Sequence, residues 1–239
     1  MMDSLLSIME DTPQAATQLD KPAILKVHDE LYLRLKAGSP TGVLRRYAES
    51  MRRYAVGVVN QVSSESGPKR TIDVTTEELL DTRRRTGGSD ALFPLVEHTL
   101  GLNLPDAVFE HWAIRELHRI IVDLVIIPND IISYRKEEAE GNPHNLIALF
   151  RRKGLTAQQA FDAVGSMLEE RYAGWMVAIE AVPSWGAQVD DEVAQYIQGI
   201  KNVAVANVNW SFHGKRYFGD MTATVKETLM TDVLADGLA

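Results

Sequence analysis

Apolar side chains recur at helical spacing wherever a period can be read along this chain, and strand-like alternation bounded by turn residues is confined to residues 70–74. Leu44, Tyr47, Met51, Tyr54, Val58 and Val62 follow one another at steps of three or four, which predicts a long helix with one buried stripe. Arg45, Arg46, Arg52 and Arg53 fall largely off that stripe and read as a solvated outer face. Residues 63–69, with three serines, Gly67 and Pro68, are the clearest loop. Beyond them Thr75-Thr76-Glu77-Glu78 carries the capping-box pattern, predicting a helix from there to the Gly87-Gly88 break. Thr156-Ala157-Gln158-Gln159 repeats that signature and opens a helix whose Phe161, Val164, Met167, Leu168 and Tyr172 keep helical spacing. Pro105 and Asp106 open a further long helical segment. The expectation is an all-α protein, one helical domain over residues 1–239, with no internal repeat and no linker long enough to separate two cores.

Composition narrows the possible chemistry. The 239 residues are 45% apolar, enough for a sizeable core. With 25 basic against 33 acidic residues the formal charge is −8, which argues against a general nucleic-acid binder. Cysteine is absent, excluding disulfide scaffolds, zinc ribbons and thiol catalysis. The greasiest stretch, residues 120–127, is interrupted by Asp123 and is too short to span a bilayer. The first residues lack the basic region of a secretory signal, so the expected location is the cytosol. No phosphate-binding glycine loop or nucleophile elbow occurs. His111 and His118 lack the companions of a zinc set and read as partly buried structural histidines.

Polar side chains appear abruptly after the apolar run. Asn129, Ser133 and Glu137 are spaced i, i+4, i+8 and lie along one helix face. They offer an amide oxygen, a hydroxyl and a carboxylate, hard donors of the kind Mg²⁺ accepts while keeping waters for a phosphate to displace. Pro128 removes one helical amide and predicts a kink or a fresh helix start just before Asn129.

Asn129, Asp130, Ser133, Lys136 and Glu137 match at every position the second metal motif of class I terpene synthases, of the microbial and particularly fungal sesquiterpene cyclase type. The following Gly141 and the His144-Asn145 pair resemble that family's usual continuation. Trp210-Ser211-Phe212-His213-Gly214-Lys215-Arg216-Tyr217-Phe218 is similar to its late Trp-Ser-x-x-Ser-x-Arg-Tyr-Phe signature, with Gly214 in place of the second serine. Arg83-Arg84-Arg85-Thr86-Gly87-Gly88 resembles its Arg-Arg-x-Thr-x-Gly segment at the usual distance before Asn129.

The resemblance implies a class I terpenoid synthase helical bundle. It implies Mg²⁺ held by Asn129, Ser133 and Glu137, and a prenyl diphosphate, farnesyl diphosphate first among them, as substrate. By the same resemblance Arg83 senses the diphosphate, Thr86 is the linker and Gly87 the effector position. Lys136, Arg216 and Tyr217 would bind the diphosphate. Phe93, Trp210 and Phe212 are candidates for the cavity wall, with plain core as the alternative for each. Arg84 or Arg85 reads instead as surface charge, because three consecutive arginines cannot share one helix face.

The family's first metal motif, an aspartate-rich Asp-Asp-x-x-Asp or Asp-Asp-x-x-Glu, has no counterpart. Asp3, Glu10 and Asp11 are scattered, Asp29-Glu30 has no third carboxylate, and Asp190-Asp191-Glu192 reads as the acidic first turn of a helix. The chain is also shorter than a complete member of the family, with the shortfall at the amino end. An N-terminally incomplete bundle is therefore expected, either a truncated gene product or a degenerate site. Its cavity would be open on one flank, inviting self-association, for example as a homodimer. The alternative to a cyclase is a non-catalytic remnant acting as a binding or interaction protein.

Overall fold

The computed structural model describes Met9 and residues 22–65 and 74–233. Asp3, Glu10, Asp11, residues 70–73 and most of the expected 63–69 loop lie outside these. Among the described residues there is no strand. Within the described residues ten α-helices follow in order: α1 (Ala23–Gly38), α2 (Thr41–Glu65), α3 (Thr76–Thr86), α4 (Phe93–Leu100), α5 (Asp106–Glu110), α6 (Trp112–Ala139), α7 (Leu146–Arg152), α8 (Ala157–Glu180), α9 (Ala187–Ser211) and α10 (Thr222–Thr228). Short 3₁₀ turns at Ser89–Leu92 and Gly219–Met221 complete the order.

The local signals explain most boundaries. Thr75 accepts from the Glu78 amide while the Glu78 carboxylate accepts from the Thr75 amide at 2.8 Å, so each satisfies an orphan donor at the start of α3. Thr156 and Gln159 do the same at the start of α8. Asp190 stands in the first turn of α9, where it accepts from Ser184 and from the Trp185 amide. Replacing Thr75 with alanine should lower stability by about 1 kcal/mol, read from the urea midpoint.

Two boundaries differ from the sequence pattern. The segment opened by Asp106 stops after one turn, because His111 takes an extended conformation and caps α6 by accepting from the Ala113 amide. Helix α6 then runs through Pro128 without a fresh start. Close by, the carbonyl of Val125 accepts a bond from Asn207 of α9 at 3.3 Å, a tertiary tie beside the carbonyl that Pro128 leaves without an amide.

Helix α6 is the spine of the core. Leu117, Ile120, Ile121, Ile126 and Ile127 are buried on it, and α8 and α9 pack along it with Val164, Trp175, Ala178, Val193, Tyr196 and Ile200. A helix apolar on nearly all sides belongs in the interior, which accounts for the run at 120–127 without invoking a membrane. No helix among the described residues is long and apolar enough to cross one.

The stripe on α2 buries Tyr47 against Tyr32 and Leu35 of α1, whereas Val62 at its far end is exposed. The arginines opposite are not all solvated. Arg46 clasps the fully buried Glu97 of α4 through two bonds of 2.9 and 2.6 Å, a pairing 51 residues apart that helical periodicity does not register. Gly57 allows α2 to approach α3 closely, since a Cβ there would lie 2.8 Å from Arg85 Cβ.

Candidate metal and diphosphate site

Arg83, on the last turn of α3, reaches the polar segment of α6. Its Nη2 donates to Asp130 Oδ1 at 2.5 Å and to Asn129 Oδ1 at 3.1 Å. Asn129 is fixed from the other end, because its Nδ2 donates to the Tyr217 hydroxyl at 3.0 Å. Three of the residues singled out from distant parts of the sequence are thus brought into one hydrogen-bonded chain.

Asp130 is fully buried, and its Oδ2 accepts from the Leu146 amide at 2.9 Å. Burial pushes its carboxyl up to about 6 against the opposing pull of Arg83 and that amide. The ordinary value is 3.8, so between the two values the native state keeps a proton that the unfolded chain releases. Stabilisation by protonated Asp130 is complete below the lower value and is lost as pH rises through the upper one. Relative to Asp130→Asn, which does not titrate there, the unsubstituted chain should lose stability across this window. Urea midpoints of both chains from about pH 4 to about pH 7 check this, and parallel profiles would overturn it.

One turn beyond Asn129, Ser133 is 1% exposed and its Oγ has no hydrogen-bond partner. Leaving a buried hydroxyl unpaired is costly, so an orphan between two other oxygen donors marks a position suited to a ligand. Glu137 follows at the next turn. Its Oε2 accepts from Asn145 Nδ2 at 2.9 Å, and that amide also donates to the Asp130 carbonyl at 2.8 Å. Asn145 is fully buried and caps α7 through Oδ1, which accepts from the Ile147 amide at 2.8 Å, so its orientation is fixed at both ends.

Among the described residues no group of three or more His, Cys, Asp or Glu could hold a metal. Asn129, Ser133 and Glu137 nevertheless fit a hard cation. All three present oxygen, Ser133 needs a partner, and Asn145 orients Glu137 as groups behind metal ligands do.

The remaining predicted residues are placed as follows. Gly87 caps α3, its amide donating to the Arg83 carbonyl at 2.7 Å, and Gly88 takes the left-handed conformation with φ of 68°. The helix breaks where the double glycine predicts. The Thr86 hydroxyl donates to the Thr82 carbonyl within its own helix. Lys136 pairs with Glu140 one turn on, and Arg216 is exposed with its guanidinium 5.6 Å from the Tyr217 ring. Trp210, largely exposed, meets Tyr217 edge-on, while Phe212 stacks on Phe218. Phe93 is buried against His118 and is part of the core.

Arg85 is surface charge, paired with Asp81, but Arg84 is not. It grips the fully buried Asp123 with two bonds of 2.7 and 2.9 Å, and Arg171 of α8 and Arg119 reach the same carboxylate at 2.7 and 3.3 Å. Periodicity gave no sign of this cluster. The one available signal was a lone aspartate inside an apolar run, since a buried charge requires partners.

Comparison with known proteins bears on the family and the fold. Residues 1–173 match the profile described as terpene synthase family 2, C-terminal metal binding. Terpene cyclase 4 of Gibberella fujikuroi is 33% identical over 199 residues, covering 83% of this chain and 54% of that protein. Silphinene synthase peniA of Penicillium patulum is 30% identical over 204 residues, covering 84% and 53%. The chain thus spans about half the length of the curated relatives it matches. Among solved structures, an α-eudesmol synthase superposes with a TM-score of 0.77 at 23% identity, covering 89% of this chain and 70% of that one. The linalool/nerolidol synthase of Streptomyces clavuligerus in complex with 2-fluorogeranyl diphosphate gives 0.78 at 19% identity, covering 90% and 72%. These likenesses establish the class I terpenoid synthase helical fold, and with the profile match and the fungal relatives they show that this chain belongs to the terpene synthase family.

Proposed function

We propose that this chain is the helical domain of a sesquiterpene synthase that ionises a linear prenyl diphosphate, farnesyl diphosphate by preference, and cyclises it with release of diphosphate. The observation that carries the reading is the buried, unpartnered Ser133 hydroxyl between Asn129 and Glu137, with Arg83 at one end of the set and Asn145 at the other. Asn129, Ser133 and Glu137 would hold Mg²⁺, which when bound neutralises diphosphate charge as the carbon–oxygen bond breaks. Arg83 supplies a guanidinium that keeps its charge and whose fork matches phosphate oxygens. To meet the diphosphate it exchanges Asp130 and Asn129 for phosphate oxygens. Tyr217 adds a hydroxyl donor from the other side, and the exposed Arg216 and the half-buried Lys136, which would give up Glu140, would turn toward the same anion. Gly87, at the break after Thr86, would present backbone carbonyl density toward the reacting chain. The Trp210 face would stabilise cationic carbon. A diphosphate head is a water-phase ligand, and we place the protein that binds it in the cytosol.

A second reading is favoured by the lack of a carboxylate cluster among the described residues: a chain that binds magnesium diphosphate without turnover. Incubation with farnesyl diphosphate and Mg²⁺, monitoring diphosphate release and hydrocarbons by gas chromatography, decides between them. A cyclic sesquiterpene supports the synthase. Tight magnesium-dependent diphosphate binding from folded protein that yields no hydrocarbon supports the binding protein and overturns the first reading.

A further inference from the structure

Asn129 has a single oxygen to offer a cation, and Arg83 holds it. The amide nitrogen Nδ2 is engaged by the Tyr217 hydroxyl at 3.0 Å, which turns Oδ1 toward α3, where Arg83 Nη2 donates to it at 3.1 Å. The other two oxygen donors of the set carry no such competitor. Ser133 Oγ is buried without a partner, and Glu137 gives only Oε2 to the neutral amide of Asn145. A guanidinium therefore bears on the one donor of the three that is most readily denied to a metal ion.

The hold of Arg83 on Asn129 is the weaker half of its attachment. One nitrogen, Nη2, makes both bonds, while its Nε is buried and has no partner. The bond to Asp130 is an ion pair, and the carboxylate is itself pinned by the Leu146 amide. The bond to Asn129 is longer and its acceptor is neutral, so the guanidinium can surrender Asn129 and pivot on Asp130. Sharing Asn129 with a metal is unfavourable, because two cations on one amide oxygen repel and Arg83, only 17% exposed along its side chain, is poorly screened by water.

We propose that Arg83 competes with the divalent cation for Asn129 Oδ1, so that metal binding releases Arg83 from Asn129 before diphosphate arrives. The inference rests on the metal site proposed above and adds an order of events to it. Without a metal, Arg83 lowers the affinity of the site. Once released, it hangs on Asp130 alone, with a free side of its fork for a phosphate oxygen. Diphosphate, by drawing Arg83 away from Asn129, raises metal affinity in return, a coupling that adds to any direct contact between the two ligands.

Mn²⁺ is the probe, since it takes the same hard oxygen donors and its free form is measured by electron paramagnetic resonance. Without diphosphate, Arg83→Gln should bind Mn²⁺ about tenfold more tightly than the unsubstituted chain, while binding inorganic diphosphate more weakly. In a chain that already carries Asn129→Ala, the same substitution should change Mn²⁺ affinity less than about twofold, because no oxygen remains to compete for. An equal gain in both backgrounds would reduce the effect to charge repulsion and overturn the proposal, as would the absence of a gain. A second measurement uses the unsubstituted chain: Mn²⁺ alone should speed modification of Arg83 by phenylglyoxal, followed by peptide mass. An unchanged or slower rate would overturn the proposal. Glu137→Gln distinguishes this failure from failure of the site. If neither the unsubstituted chain nor Arg83→Gln binds Mn²⁺ in a manner that Glu137→Gln abolishes, with or without inorganic diphosphate, the metal site falls and the competition with it. Binding that depends on Glu137 but is indifferent to Arg83 overturns the competition alone.

Discussion

Replacing Asp123 with alanine should destabilise the fold by about 3–5 kcal/mol, the largest single effect expected outside the apolar core. The carboxylate is fully buried and receives four hydrogen bonds from Arg84, Arg119 and Arg171, which tie α3 and α8 to the spine of α6. Two of those arginines are themselves only 14% exposed along their side chains; without Asp123, Arg84 keeps Glu77 and Arg119 keeps Glu116, but Arg171 is left with only a 3.8 Å approach to Glu170, so buried guanidinium charge loses its main partner in poor contact with water. Asp123→Asn keeps the shape and one acceptor oxygen, and a smaller loss is expected. Urea unfolding followed by circular dichroism measures both. A midpoint for the alanine variant within error of the unsubstituted chain would show that the three arginines find adequate partners without Asp123.

The second large effect is on binding. Glu137→Gln should weaken magnesium-dependent binding of inorganic diphosphate by at least about 100-fold, since Mg²⁺ strongly prefers a charged oxygen and the set contains only one carboxylate. The glutamine has nearly the same shape and its amide oxygen can still accept from Asn145, so secondary structure and urea midpoint should be preserved. Ser133→Ala should give a smaller loss and a slight gain in stability, because it removes a buried hydroxyl that has no partner. Calorimetric titrations with and without Mg²⁺ separate the two contributions. Equal affinities for the unsubstituted chain and the Glu137 variant would remove Glu137 from the metal site.

Local chemistry was legible in the sequence because it acts over three or four residues. The Thr75–Glu78 and Thr156–Gln159 boxes set the starts of their helices, the double glycine ended α3, and the i, i+4, i+8 spacing put Asn129, Ser133 and Glu137 on one face. What stayed hidden depends on partners far away in the chain. Arg46 and Arg84 each have the spacing of a solvated residue, yet each is drawn inward by a carboxylate that only tertiary packing supplies. Pro128 suggested a kink or a fresh helix start, and the fresh start is absent for a related reason. A proline breaks an isolated helix, but α6 is clamped on both sides by α8 and α9, and tertiary packing outweighs the lost hydrogen bond. Asn145 was visible as part of a motif, but its work in orienting Glu137 required the turn between α6 and α7 to be seen closed.

That closure has a kinetic side. The amide hydrogens of Leu146 and Ile147 are committed to Asp130 and Asn145, and Asn145 is committed in turn to Glu137. For either amide to exchange with solvent deuterium, the first turn of α7 must come away from the carboxylate-bearing end of α6. Opening of that short helix and loss of alignment at Glu137 are one event, so a cation that rigidifies Glu137 would slow exchange at two amides that never touch it.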